Sequence, residues 1–108
     1  MSDEIVTGFQ DHVFTVTLNR PGKRNALTTA MIEEMRGVFE RVAADDQVRV
    51  LVLDAEGLAF CAGLDLAELS AQRARGAVET HGLEQALEVL ERCPQPTIAA
   101  VRTLKDHY

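Results

Sequence analysis

Basic residues are in the minority: 11 Lys and Arg stand against 17 Asp and Glu, a formal charge of −6 at pH 7. A surface with few, scattered cations cannot neutralise a run of phosphates, so neither nucleic acid nor an anionic membrane is an expected partner. Lys23-Arg24 is the one basic pair that stands out. Long apolar runs are missing as well, and none approaches the roughly 18 residues needed to span a bilayer. The start, Met1-Ser2-Asp3-Glu4, is acidic and has no apolar stretch, so no signal peptide is expected. Cysteine is scarce: Cys61 and Cys93 make no disulfide framework and lack metal-ligand spacing, so no metal site is expected. The Gly-x-x-x-x-Gly-Lys spacing of a phosphate-cradling P-loop is also absent. The expectation is a soluble, cytoplasmic protein.

What is present is ordinary globular material, 46% hydrophobic and 26% charged in 108 residues, enough for one domain. Residues 5–9 and 13–18 are short β-rich runs with a turn at Gln10-Asp11-His12, so residues 1–18 predict a hairpin. Asn19-Arg20-Pro21-Gly22 ends it, because proline removes a ladder donor and glycine permits a turn. From Thr28 to about Ala44 the period becomes helical, with Met31, Met35, Val38, Phe39 and Val42 on one stripe. Thr28 or Thr29 can cap this helix, and Glu33 and Glu34 sit early in it, where the dipole favours anions. Val48–Leu53 reads as a strand buried on both faces. Asp65 with Glu68 has capping-box spacing for a further helix start. Leu83, Leu87 and Leu90 mark another amphipathic helix ending near Arg92, before Pro94 and Pro96. Thr97–Val101 then reads as a further buried strand, and alternating strands and helices make the class α/β.

The segment richest in chemical potential is Ala62-Gly63-Leu64-Asp65. A glycine at a strand-to-helix junction lets the backbone turn sharply, and the first N–H groups of the helix beyond it point outward with the positive end of the dipole. Such an N–H, here that of Leu64, can stabilise an oxyanion; a Gly-then-Asp helix start is more often only a cap. Lys23-Arg24 after a Pro-Gly turn reads first as a solvated basic pair and second as a phosphate contact. Cys61 reads as a small packed thiol, and His12, His81 and His107 as isolated surface residues.

Together these pieces resemble a known family. Leu18-Asn19-Arg20-Pro21-Gly22-Lys23-Arg24-Asn25-Ala26-Leu27 closely resembles the Leu-Asn-Arg-Pro-x-x-x-Asn-Ala-Leu signature of the crotonase (enoyl-CoA hydratase/isomerase) family. Ala59-Phe60-Cys61-Ala62-Gly63-Leu64-Asp65-Leu66 is similar to its Ala-Phe-x-Ala-Gly-x-Asp-Leu motif, and Pro96–Val101 to its next strand. The three stand in family order. The resemblance implies an α/β fold of repeated ββα turns stacked in a spiral, present here only in part and ending after the strand near Val101.

The resemblance also implies chemistry. The family binds acyl-CoA thioesters, coenzyme A being part of the substrate rather than a separate cofactor, and polarises the thioester carbonyl with two backbone N–H groups. Carried onto this chain, the first donor is the N–H of Leu64, after Gly63, while Lys23, Arg24, Ala26 and Ala62 match positions that line the CoA nucleotide. A thioester enolate is a localised charge that pre-aimed N–H donors stabilise as it forms. The family's second donor, in a Gly-rich segment, and its proton-transferring acidic residues come later, and Thr103–Tyr108 match neither. The expectation is that residues 1–102 are the N-terminal part of a crotonase-like acyl-CoA-binding domain with a non-matching tail at 103–108. A frameshift, a premature stop or a truncation would account for such a chain. As an enzyme it is then of enoyl-CoA hydratase/isomerase type, a lyase or isomerase of fatty acid metabolism, and not catalytically competent alone. The alternative is a short non-catalytic module that docks on a full-length relative. Trimers or hexamers are the family's assemblies.

Overall fold

The first chain reversal is a two-residue turn in which Asp11 and His12 both take left-handed φ, 54° and 66°. That is the turn whose twist matches a right-twisted hairpin, and Asp and His are among the few non-glycine residues that tolerate it. In the structure, a computed structural model describing residues 3–57, 65, 70, 71, 74 and 81–100, the turn joins strands β1 (Ile5–Gln10) and β2 (Val13–Leu18). They pair antiparallel from Ile5 opposite Leu18 to Gln10 opposite Val13. The turn is pinned to the molecule: the His12 carbonyl accepts from the Arg49 N–H at 2.8 Å, and His12 Nδ1 lies 2.9 Å from the Gln47 carbonyl.

Helix α1 (Thr29–Ala43) starts where Thr28 Oγ1 accepts the N–H of Met31 at 3.2 Å. Of the two threonines that the sequence offers as caps, Thr28 is the one used. Met31, Ile32, Val38, Phe39 and Val42 are buried and Met35 packs beside them. Glu33 and Glu34 lie beyond the first helical turn, so the dipole is not what they serve. Glu33 instead bonds Arg36 at 2.7 Å, and Arg36 reaches Glu40 at 3.3 Å on the same face. At the other end Gln95 Nε2 donates to the Val42 carbonyl at 2.7 Å, which also accepts the Asp45 N–H at 3.1 Å, and lies 3.3 Å from the Asp45 carbonyl just past the helix, holding the end of α1 to the segment before Thr97. Gln95→Ala is expected to cost about 1 kcal/mol, read as a lower urea midpoint at unchanged slope.

Strand β3 (Val50–Ala55) lies parallel to β2, and β4 (Thr97–Ala99) parallel to β3, giving the sheet order β1-β2-β3-β4. The parallel pairings are made possible by crossovers that contain α1 and α2 (His81–Arg92), helices that also pack on each other. One core results: Ile5, Val16, Leu18, Leu51 and Ala55 from the sheet meet Met31, Val38, Phe39 and Val42 of α1 and Ala86 of α2.

Three sequence expectations change here. The strand expected to be buried over 97–101 is Thr97–Ala99 and exposed throughout, because among the described strands it stands at the end of the sheet order, next to β3 alone. Val48–Leu53 was expected to be a strand buried on both faces, yet the strand begins at Val50, and Val48 is buried in the loop before it. Only Leu51 and Ala55 of β3 are fully buried, and Val50 and Val52 on the opposite face are half-buried. The reason is that α1 and α2 cover the same side of the sheet. Its other side carries Val6, 45% exposed, and Ile98, 54% exposed and paired with Val52. The inward stripe of α2 also shifts: Leu83, Ala86, Val89 and Leu90 face the core, whereas Leu87 is 53% exposed. Ala86 is too small to announce itself in a hydrophobic pattern, but a helix can approach closely there.

Candidate functional site

The loop after β2 is a chain of tight turns. Pro21 opens a single 3-10 turn, Pro21–Lys23, for which its fixed φ and missing N–H are suited. The Arg20 carbonyl accepts from the N–H groups of Lys23 at 3.0 Å and Asn25 at 2.9 Å, and the Lys23 carbonyl from that of Ala26 at 3.0 Å. Arg24 and Asn25 both have left-handed φ, 53° and 57°. Asparagine adopts this conformation more readily than other side chains, and Asn25 is completely buried. Its Oδ1 accepts the Arg20 N–H at 2.7 Å and its Nδ2 donates to the Glu56 carbonyl at 2.8 Å, tying the loop to the end of β3. The effect is to leave Lys23 and Arg24 exposed on the outside of a rigid loop, with Ala26 half-buried beneath them.

A second segment meets this loop at Asp65. Its N–H donates to the Leu27 carbonyl at 2.8 Å, and its carboxylate takes Arg20 Nη1 at 2.7 Å. The same Nη1 donates to the Ala26 carbonyl at 2.9 Å, and Arg20 Nε pairs with Glu4 at 3.2 Å. The Asp65 carboxylate therefore holds structure together and is not a spare acid for proton transfer. The turn leaving β3 closes on the loop too: Gly57 has φ of 88°, and a Cβ there would stand 2.8 Å from Cβ of Pro21. Beneath the loop, Leu18, Leu27, Ile32, Met35, Phe39, Leu53, Leu83, Ala86, Leu87 and Leu90 line an apolar recess of about 160 Å³.

The sequence of this arrangement matches a family profile, that of enoyl-CoA hydratase/isomerase, over residues 8–104. The chain belongs to that family. Among similar relatives are the mitochondrial Delta(3,5)-Delta(2,4)-dienoyl-CoA isomerase of Mus musculus, 34% identical over 108 residues, covering 89% of this chain and 33% of the relative. A probable enoyl-CoA hydratase of Mycobacterium tuberculosis is 35% identical over 100 residues, covering 92% and 39%. In three dimensions the chain is similar to the enoyl-CoA hydratase of Mycobacterium marinum, with a TM-score of 0.83 and 32% identity over 91% of this chain and 47% of that one. The enoyl-CoA hydratase of Mycobacterium smegmatis gives 0.83 and 34%, over 93% and 40%. The chain thus spans about a third to two-fifths of the length of these curated relatives, and its sheet and helices are a partial crotonase fold.

Of the residues singled out from the family's motifs, Lys23, Arg24 and Ala26 lie together on the loop described above. Ala62, Gly63 and Leu64 lie outside the described residues, as does Cys61, while Asp65 directly after them is held against Leu27 and Arg20. The residues that sequence reasoning left without a role are Arg20 and Asn25. Both stand inside the first motif, and an asparagine in a Pro-Gly-rich turn is a signal of left-handed backbone that could have marked Asn25. Cys93 faces the Phe39 carbonyl at 3.7 Å, and burial pushes its thiol up from the usual range. Among the described residues no His, Cys, Asp and Glu cluster could hold a metal ion, and no helix is long and apolar enough to cross a membrane.

Proposed function

We propose that this chain is the acyl-CoA-binding portion of an enoyl-CoA hydratase/isomerase-type enzyme, taking the nucleotide end of the thioester on the 20–27 loop and the thioester carbonyl at Leu64. The observation that carries this is the bond from the Asp65 N–H to the Leu27 carbonyl at 2.8 Å. It sets the residue following Leu64 directly against the loop bearing Lys23, Arg24 and Ala26, so one extended ligand can touch both. Lys23 and Arg24 supply cations for the phosphates, Ala26 and, by the family motif, Ala62 a close approach for the nucleotide, and the motif's Gly63-Leu64 pair the N–H donor. That N–H stabilises negative charge as it develops on the thioester oxygen.

In this reading residues 1–108 hold and polarise the thioester without turning it over. Loss of one oxyanion donor costs about 10²–10³ in rate, and the lack of an acid/base group roughly a further 10²–10⁴. Glu4 and Asp65, the carboxylates bonded to Arg20 beside the loop, are held as ion-pair partners. The test is calorimetric titration with coenzyme A and a short 2-enoyl-CoA, followed by assay of hydration. Binding without turnover is expected; hydration at ordinary enzyme rates would overturn the second half of the proposal, and no affinity for either ligand the first half. Lys23→Ala and Arg24→Ala are each expected to weaken binding by up to about fivefold and to flatten its salt dependence, because both side chains are exposed and screened.

A further inference from the structure

Among the described residues, the ion pairs of Arg20 reach across more of the sequence than those of the other arginines. The ion pairs of Arg36 and Arg92 connect residues within a single helix. The Arg20 guanidinium, in contrast, reaches Glu4 ahead of β1, the Ala26 carbonyl and Asp65, the last 45 residues away in sequence. Its side chain is 20% exposed and that of Asp65 12%, so this pair is shielded from water, where charge-assisted bonds hold geometry best. Its backbone is committed as well, with the N–H given to buried Asn25 and the carbonyl accepting from Lys23 and Asn25. One residue therefore fixes the shape of the loop from its backbone and the distance from that loop to Asp65 from its side chain.

We propose that Arg20 is a positioning residue: it locks the 23–26 loop and Asp65 at one spacing, so that a thioester seated by its nucleotide end arrives in register with the donor that precedes Asp65. This rests on the reading of Leu64 given above. The planar fork is essential, because a lysine keeps the charge but cannot serve the Ala26 carbonyl, Asp65 and Glu4 along fixed directions.

The experiment uses the full chain with Arg20→Lys, Asp65→Asn and the double variant, each shown to remain folded by circular dichroism, and two readouts. The first is amide hydrogen exchange at Asp65, whose N–H donates to Leu27. Arg20→Lys is expected to raise it by about tenfold or more while the amides of Phe39 and Leu51 in the core stay within about twofold. The second is the absorbance shift of an aryl-enoyl-CoA on binding, which reports polarisation of the thioester. The single variants are expected to keep coenzyme A affinity within about twofold yet lose most of the shift, and the double variant to lose no more than either single one. Unchanged exchange at Asp65 in Arg20→Lys overturns the proposal, whether or not ligand binds. A full shift in that variant, or losses that add in the double variant, overturns it equally. Absence of any shift in the unmodified chain counts against the Leu64 reading instead, and the exchange result then decides the role of Arg20.

Discussion

Asn25→Ala is expected to lower stability by about 2–5 kcal/mol and, on the function proposed above, to abolish coenzyme A binding with it. The side chain is fully buried and makes two bonds, to the Arg20 N–H at 2.7 Å and to the Glu56 carbonyl at 2.8 Å. Arg20 is half-buried and Glu56 exposed, so water can partly replace the lost amide, and the two bonds together are worth about 1–3 kcal/mol. A left-handed residue with a Cβ and no side-chain amide adds about 1–2 kcal/mol more. Asn25→Gly separates the terms, since glycine accepts the φ of 57° freely and loses only the bonds. Chemical denaturation should therefore rank the wild type above Asn25→Gly and that above Asn25→Ala. Equal stability of the two variants would show that the backbone strain is absent, and a loss under about 1 kcal/mol that the bonds are immaterial.

Phe39→Ala is expected to cost about 3–5 kcal/mol, enough to take a large share of the stability of a chain this size. Phe39 is the largest of the fully buried side chains and stands between α1, the sheet and α2. It also borders the apolar recess of about 160 Å³, so truncation enlarges a void whose walls are already held apart. Leu87→Ala is the informative contrast. Its side chain is 53% exposed, and a loss well under 1 kcal/mol is expected. A cost at Leu87 comparable to that at Phe39 would overturn the placement of the inward face of α2.

The hairpin, helices α1 and α2 and the presence of β3 and β4 were legible because each has a strong local cause: a turn between two β-rich runs, a capping threonine ahead of a 3.6-residue stripe, prolines after a helix. What was misread has causes that act across the chain. Val52 looks buried because it is apolar, yet whether a layer covers it depends on where other elements go. Leu87 and Ala86 exchange roles because the approach of α2 to α1, not the size of the side chain, chooses the inward face.

The candidate site divides the same way. The class of fold, the family and a candidate site at the Lys23–Ala26 loop and around Leu64 could be read from the residues alone, since turn chemistry and motif spacing are written residue by residue. That Arg20 would link them was decided only by the tertiary structure. Its bond to Asp65 spans 45 residues of sequence, and such a contact exists only once α1 and β3 have packed and brought the two segments together. Asn25 is likewise polar in sequence but a core residue in space, because its side chain satisfies the Arg20 N–H and the Glu56 carbonyl from inside the loop, where only the fold brings the two together.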